Sequence, residues 1–298
     1  MRSLEGPPHC SGDEDQAGIE RSERLRNWAP MIPNVSVVIP AYNEAARLGR
    51  SLRELMFYLA SYGNAELLIV DDGSSDGTAD AAERYLSEHC RFDWRVIRVP
   101  VNRGKGHAVR QGLLAARAPV ALFSDADLST PITELPKLVD LITDGLCDVA
   151  FGSRAIDRRL IETPQPFYRD RAGRAFNMAL RTATGLPFHD TQCGFKAFRM
   201  AMCRQILEAA TIDRFGFDIE LLFVAHRAGL RLQEVPVRWH HEEGSKVRLS
   251  RDGPRMLADI VTVRRQMLAG HYNAAMIAAT AALREQQWGS RPTPASLF

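Results

Sequence analysis

ALFSDADLSTP, Ala121–Pro131, is an apolar run that stops on two carboxylates, Asp125 and Asp127, with only Ala126 between them. Its first residues have the length and composition of a buried strand. Like charges this close require full solvation or a cation. In an open α/β sheet, ligands bind beyond the carboxyl ends of the strands. The stretch therefore reads as a strand that carries an acidic pair to a ligand-binding edge.

Other apolar runs surround it. VSVVI (Val35–Ile39) ends at Pro40, and ELLIV (Glu66–Val70) ends at Asp71 and Asp72. WRVIRV (Trp94–Val99) alternates, VALF (Val120–Phe123) is a fourth run and CDVAFG (Cys147–Gly152) a fifth. Between them lie helical stretches. In EAARLGRSLRELMFYLASYG, Leu48, Leu52, Leu55, Met56 and Leu59 recur at helical spacing and Gly63 supplies a C-cap. SSDGTADAAERYLSEH and GKGHAVRQGLLAARA follow the second and third strands. Strands alternating with helices predict a mostly parallel central sheet covered by helices. Farther on, helices are expected at Tyr168–Thr184 and Phe217–Gly229, one strand at Leu230–His240, and amphipathic helices at Pro254–Leu268 and Tyr272–Gln287. CGFKAFR lies between the first two of these helices, with no element assigned to it.

The 298 residues are 45% hydrophobic, enough for one sizeable core. A formal net charge of +2 gives no global field for nucleic acid. The five cysteines are scattered without zinc spacing, and reduced thiols in a cytoplasmic compartment are expected. Residues 1–33 are polar, lack the apolar run of a signal peptide and are expected to be a loose tail. A domain over 34–252, amphipathic helices over 253–288 and a tail over 289–298 complete the expected organisation, and no run is long enough for a membrane span.

Three strand ends are polar: PAYNE after the first, DDGSSDGT after the second and SDADLS after the fourth. Taken singly, Asp-Gly is turn chemistry, whereas three polar ends on one edge point to a site. NRGKGHAVRQG (Asn102–Gly112) sets Lys105 between Gly104 and Gly106 at a helix start, where amides and an ammonium can face an anion. It is neither a P-loop nor a dinucleotide fingerprint. Asp125 and Asp127 are suitable donors for a hard divalent cation, Mg2+ or Mn2+, which in turn takes phosphate oxygens.

The series VVIPAYNE, LLIVDDGSSDGT, NRGKGHAV, LFSDADLS, AFGSR, DTQCGFKAFR and GFDIELL resembles the inverting, family-two glycosyltransferases of GT-A fold. Within them it is most similar to the polyprenyl-phosphate (dolichyl-phosphate) β-glucosyltransferases, and less so to the dolichyl-phosphate mannose synthases. The resemblance runs from Val35 to Arg251. It implies that Pro40, Tyr42 and Glu44 line a nucleoside pocket, that Asp71 and Asp72 contact base or ribose, and that Lys105 lies near base or diphosphate. It also implies that Asp125 faces sugar and metal, with Asp127 a direct metal ligand. Where mannose synthases commonly carry a metal-assisting Gln, this chain has Ser129, which leaves the third protein ligand open.

The implied reaction displaces a nucleoside diphosphate from UDP-glucose or GDP-mannose. A sugar-hydroxyl acceptor would need a base, for which Asp190 is a candidate, or Asp190 orients the acceptor or a cationic side chain. A lipid phosphate is already anionic and needs cations. Arg154 and Arg169 are the acceptor-phosphate candidates, with Gln192 beside them and Lys246 in the loop EEGSKVR. Asp218 at a helix start has both functional and structural readings. The segment SKVRLSRDGPRMLADIVTVRRQML mixes arginines with apolar residues, suiting either peripheral attachment to the cytoplasmic membrane face or packing on the domain or a second copy of the chain. Four readings compete: polyprenyl-phosphate glycosyltransferase, the same donor chemistry onto a hydroxyl, a nucleotidyltransferase, and an inactive nucleotide-sugar-binding protein.

Overall fold

Each of the strands β1 (Val35–Ala41), β2 (Ala65–Asp71) and β4 (Val120–Ser124) is buried along its whole length. Their side chains divide with a period of two, as pleated backbone requires. Val37, Ile39, Leu67, Ile69 and Leu122 enter one core layer, while Val38, Leu68, Val70, Ala121 and Phe123 enter the other. A strand buried on both faces is why these segments read as continuous apolar runs. The computed structural model describes residues 32–163, 165, 167–242 and 249–289; for 168–170, 249–250 and 287–289 it describes the backbone.

With β3 (Asp93–Arg98), β5 (Val149–Ser153), β7 (Phe195–Arg199) and β8 (Leu232–Pro236), these strands form one sheet in the order β3-β2-β1-β4-β7-β5-β8. Neighbours pair in parallel except β7, which runs antiparallel to both β4 and β5. The sheet is thus mostly parallel, as expected, and β7 is the strand to which the sequence reading assigned no element.

Helices cover both faces. On one side lie α1 (Ala45–Tyr62), α2 (Thr78–His89) and α4 (Leu135–Thr143), burying Leu48, Leu52, Leu86, Leu138 and Ile142. On the other lie α3 (Lys105–Ala115), α6 (Met200–Ala209) and α7 (Phe217–Arg227), joined by α8 (Leu249–Leu268) and α9 (Asn273–Gly289). Helix α5 (Phe167–Thr184) contributes Leu180 to a small cluster with Ile219 and Ile260.

Three local differences from the sequence reading have physical causes. Residues 200–209 form α6, whose apolar residues Met202, Cys203, Ile206 and Leu207 fall on one buried face. The single strand expected over Leu230–His240 is two. Pro236 lacks a donor for the ladder, β8 ends there, and Trp239–His240 forms β9, paired with β6 (Ile161–Thr163) in a separate small sheet. Helix α8 begins at Leu249, ahead of Pro254.

The register sets the position of the site. Ala41 faces Asp71 across β1–β2, and Ser153 faces Pro236 across β5–β8, so these strands finish on one edge. Because β7 is antiparallel, its first residue, Phe195, pairs with the last of β4, Ser124. The segment 190–194 therefore enters the sheet where β4 leaves it. Strand order reverses direction at β1 and β4, the switch point at which such sheets open a crevice.

Candidate active site

A cavity of about 590 Å³ opens at this edge. Its walls bring together Lys105, Asp125, Asp127, Arg154, Asp190 and Gln192, residues spread over 88 positions of sequence but all at strand ends or helix starts. Pro40 and Asp71 lie at the carboxyl ends of β1 and β2, with Tyr42, Glu44 and Asp72 just past them, and none is in its lining among the described residues. Lys246 and the side chain of Arg169 lie outside the described residues.

The acidic pair is built by a tight turn after β4. The Leu128 amide donates to the Asp125 carbonyl at 3.0 Å, and Leu128 adopts a left-handed φ of 51° while its side chain stays in the core. A branched apolar residue is rarely held in this region, and such strain clusters at functional sites. The Asp125 amide donates to the Gly194 carbonyl at 3.1 Å, and its carboxylate pairs with the Lys105 ammonium. A Cβ at Gly194 would sit 2.0 Å from Asp125 Oδ2, so the carboxylate occupies the space that a side chain there would fill. The Ser129 amide donates to Asp127 Oδ1 at 3.0 Å, and the Ser129 hydroxyl also bonds Asp127. Ser129 thus orients the carboxylate. Burial and the nearby Asp125 charge push the Asp127 pKa above the usual carboxylate range.

Below this pair lies a buried ion pair. Lys196, fully buried on β7, donates to Asp218 Oδ1 at 2.6 Å and to the Cys193 carbonyl at 2.5 Å, and lies over the Phe123 ring at 5.4 Å. Burial disfavours the Lys105 ammonium, but Asp125 and Asp218 more than offset it and hold its pKa above the ordinary value. Asp218 therefore serves both lysines from the first turn of α7. Lys196 and Gly194 belong to the site without having been singled out on sequence, although both stand in the quoted DTQCGFK.

Asp190 is nearly inaccessible and accepts Arg154 Nε at 2.6 Å, Arg154 Nη2 at 2.8 Å and the Gln192 amide at 3.1 Å. Burial pushes its pKa up, yet the guanidinium outweighs burial and holds it below the usual range. A carboxylate so committed stays ionised and holds the Arg154 guanidinium in place. The Arg154 guanidinium also lies 5.6 Å from the Trp239 ring centre. Behind it, Glu234 on β8 accepts the Ser153 hydroxyl at 2.7 Å, the Asp190 amide at 2.8 Å and the His189 amide at 2.9 Å. Nothing in the local sequence marks Glu234, because its partners are remote.

The NRGKG turn holds an anion, and that anion is part of the chain. Asp72 accepts the Gly104 amide at 2.7 Å, the Arg103 amide at 3.1 Å and Asn102 Nδ2 at 2.9 Å. The His107 amide goes to the Asp213 carbonyl at 3.0 Å. A Cβ at Gly106 would meet Ile212 O at 2.6 Å, so the 212–214 segment passes against the helix start. Across the β1–β2 loops, Ser75 N donates to Asn43 Oδ1 at 2.9 Å, Asn43 N donates to Ser74 Oγ at 2.8 Å, and Glu44 pairs with Arg47.

The donor set fits a hard divalent cation. Asp125 and Asp127 lie together at a half-buried edge, and burial with the neighbouring Asp125 charge pushes the Asp127 pKa up, an environment that a cation would relieve. Among the described residues, no three His, Cys, Asp or Glu side chains form a preassembled metal cluster. Such an ion would take its remaining ligands from water and phosphate oxygens, the usual situation for Mg2+.

Comparison with known proteins adds to this geometry. The family model for glycosyl transferase family 2 matches residues 36–207. A dolichyl-phosphate beta-glucosyltransferase of Saccharomyces cerevisiae is 35% identical over 257 residues, covering 80% of this chain and 76% of that protein. The Homo sapiens protein of the same name is 30% identical over 254 residues, covering 82% and 78% respectively. Among solved structures, glucosyl-3-phosphoglycerate synthase from Mycobacterium tuberculosis, in complex with Mn2+, UDP-glucose and phosphoglyceric acid, shares the fold. Its TM-score is 0.56 at 21% identity, covering 78% of each chain.

Proposed function

The chain belongs to glycosyl transferase family 2 and is a glycosyltransferase of GT-A fold, and from that premise we propose that it transfers glucose from UDP-glucose to a polyprenyl (dolichyl-type) phosphate, with Mg2+ or Mn2+ held by Asp125 and Asp127. The observation that carries this reading is a single cavity that combines an acidic pair for a cation with an arginine fixed by a buried carboxylate. The names of the relatives support glucose and dolichyl phosphate, and the Mn2+ and UDP-glucose in the structural neighbour support the metal and donor.

A phosphate acceptor is anionic at neutral pH and attacks without a general base. Its oxygen forms the new bond to the anomeric carbon as the bond to the diphosphate breaks on the opposite face, so an α-linked donor yields a β-linked product. When bound, the divalent ion stabilises the departing diphosphate as a Lewis acid. Lys105 fixes Asp125 and adds positive charge beside it. Arg154, held in plane by Asp190, presents a preorganised cation to the acceptor phosphate, with Arg169, Gln192 and Lys246 as further acceptor contacts. Pro40, Tyr42, Glu44, Asp71 and Asp72 are assigned to the nucleoside side. Transfer to a hydroxyl would need a proton acceptor, and the lowered pKa of Asp190 disfavours that use.

The decisive experiment incubates the protein with Mg2+ or Mn2+, UDP- and GDP-sugars and a short polyprenyl phosphate. Glucolipid formed from UDP-glucose is expected; sugar passing only to hydroxyl acceptors would sink the reading. Among the described residues no helix is long and apolar enough to cross a membrane. We propose that the chain meets the lipid acceptor by peripheral attachment through α8, on the cytoplasmic face of the membrane. Exposed Leu257, Val261 and Leu268 beside Arg264 and Arg265 on α8 support this. Flotation with anionic liposomes at low salt is the expected outcome, and a protein that stays at the bottom of the gradient contradicts it.

A further inference from the structure

The charged groups in the cavity wall are largely committed to one another: Asp125 to Lys105, Asp190 to Arg154, and Asp218 to Lys196. The Gln192 side chain is also engaged, its Nε2 donating to the Thr191 carbonyl at 3.4 Å. Asn177 differs. It lines the same cavity from the middle of α5, and its Oδ1 is shut away from water with no hydrogen-bond partner among the described residues. Buried amide oxygens are almost always paired, and an orphan at a cavity wall calls for a reason.

The helix holding it is firmly seated. Phe176, Leu180 and Ala183 pack against Ile219 of α7 and Ile260 of α8, and Arg264 Nη1 donates to the Ala183 carbonyl at 2.7 Å. Asn177 therefore owes its place to its helix rather than to bonds of its own amide. Among the described residues, rotating the amide toward a ligand breaks no hydrogen bond of its Oδ1.

An asparagine amide offers one acceptor and two donors. Ionised phosphate oxygens accept only, so they leave the acceptor unpaired. A hydroxyl gives a hydrogen bond and receives one, matching both ends of the amide. We propose that Asn177 binds a hydroxyl of the donor's hexose and so takes part in choosing the sugar. The inference rests on the donor half of the proposed function and is independent of which acceptor is used.

The test measures binding of UDP-glucose and of UDP to wild type, Asn177→Ala and the volume-matched Asn177→Leu. Alanine is the strongest helix former, so the first variant keeps α5. Both variants should weaken UDP-glucose by about 10- to 100-fold, the scale of leaving one buried hydrogen-bond partner unpaired, while UDP stays within about twofold. With UDP-glucose analogues lacking one hydroxyl each, one analogue should bind wild type and variants equally poorly. Equal weakening of UDP and UDP-glucose would assign Asn177 to the nucleoside and overturn the proposal. Unchanged UDP-glucose binding would also overturn it, as would a loss confined to Asn177→Ala, which would indicate packing. Glucolipid synthesis by wild type is followed in parallel. Donor binding without glucolipid would remove the acceptor assignment and leave Asn177 standing. If wild type binds GDP-mannose instead, the same ratio is taken against GDP.

Discussion

Asp127 is held in a form that costs stability. Its folded pKa is raised by burial and by Asp125, so at neutral pH the ionised carboxylate is less favourable in the folded chain than in the unfolded one. Asp127→Asn keeps the shape and the oxygen that accepts from Ser129 while removing the charge. The expected result is a thermal midpoint in chelator above wild type, together with turnover reduced at least about 100-fold through the lost metal ligand. An unchanged turnover would remove Asp127 from the metal site. Gly194 is the complementary case. Its backbone needs no positive φ, but a Cβ there would overlap the Asp125 carboxylate. Gly194→Ala should fold, and should lower turnover by about 100-fold because a displacement near 1 Å misplaces the reacting groups. Turnover within twofold of wild type would show that Asp125 does not need that space. The sequence made Asp125 and Asp127 legible as an acidic pair, but not the role of Gly194, since the atom it accommodates lies 69 positions away.

At the scale of elements, β7 decides how the site is assembled. A parallel strand in its place would deliver its preceding loop to the far edge of the sheet. Running antiparallel, it brings Asp190, Gln192 and Gly194 to the carboxyl end of β4. Glu234 on β8 thus ties its strand to Ser153 at the end of β5 and to the amides of His189 and Asp190 before β7. Replacing one acceptor oxygen by a donor leaves either the His189 amide or the part-buried Ser153 and Asp190 donors unpaired. Glu234→Gln should cost about 1–3 kcal/mol in denaturant unfolding. Because Asp190 aligns Arg154, the variant should also raise the KM for polyprenyl phosphate more than that for UDP-glucose. Equal changes in both KM values would reduce Glu234 to a structural role. The C-terminal helix α8 reflects competing uses of one amphipathic pattern. Met256, Ile260 and Val263 are spent on the domain's own core, while Leu257, Val261 and Leu268 remain outside.

For the whole molecule, the two edges of the sheet are treated differently. The edge opposite the cavity is closed by buried carboxylates saturated with arginine. Glu66 accepts from Ser36, Arg95 and Arg117, and Asp148 accepts from Arg231. Burial raises the pKa of Glu66 and Asp148, as it does those of Asp190 and Glu134, but hydrogen bonds and cations outweigh it, and all four lie below their ordinary values. A carboxylate with a depressed folded pKa contributes stability that is fully present above its unfolded value, about 4, and lost as pH falls through the folded value. Urea midpoints should therefore show little contribution from these groups between pH 7 and about 5 and fall steeply below about pH 4. A midpoint at pH 3 equal to that at pH 7 would contradict this account. Local chemistry by itself determined most of the strands and helices and the acidic strand ends, because apolar runs, turn residues and caps act over a few neighbouring positions. It also placed the chain in its family through motifs that lie along the carboxyl edge. Only the tertiary structure decided the direction of β7, the splitting of the strand after Leu230 and which charges neutralise which. Strand direction depends on pairing with partners far along the chain, and a buried carboxylate finds its cation only when the sheet has closed: Asp190 with Arg154, Lys196 with Asp218, Glu234 with the turn it holds.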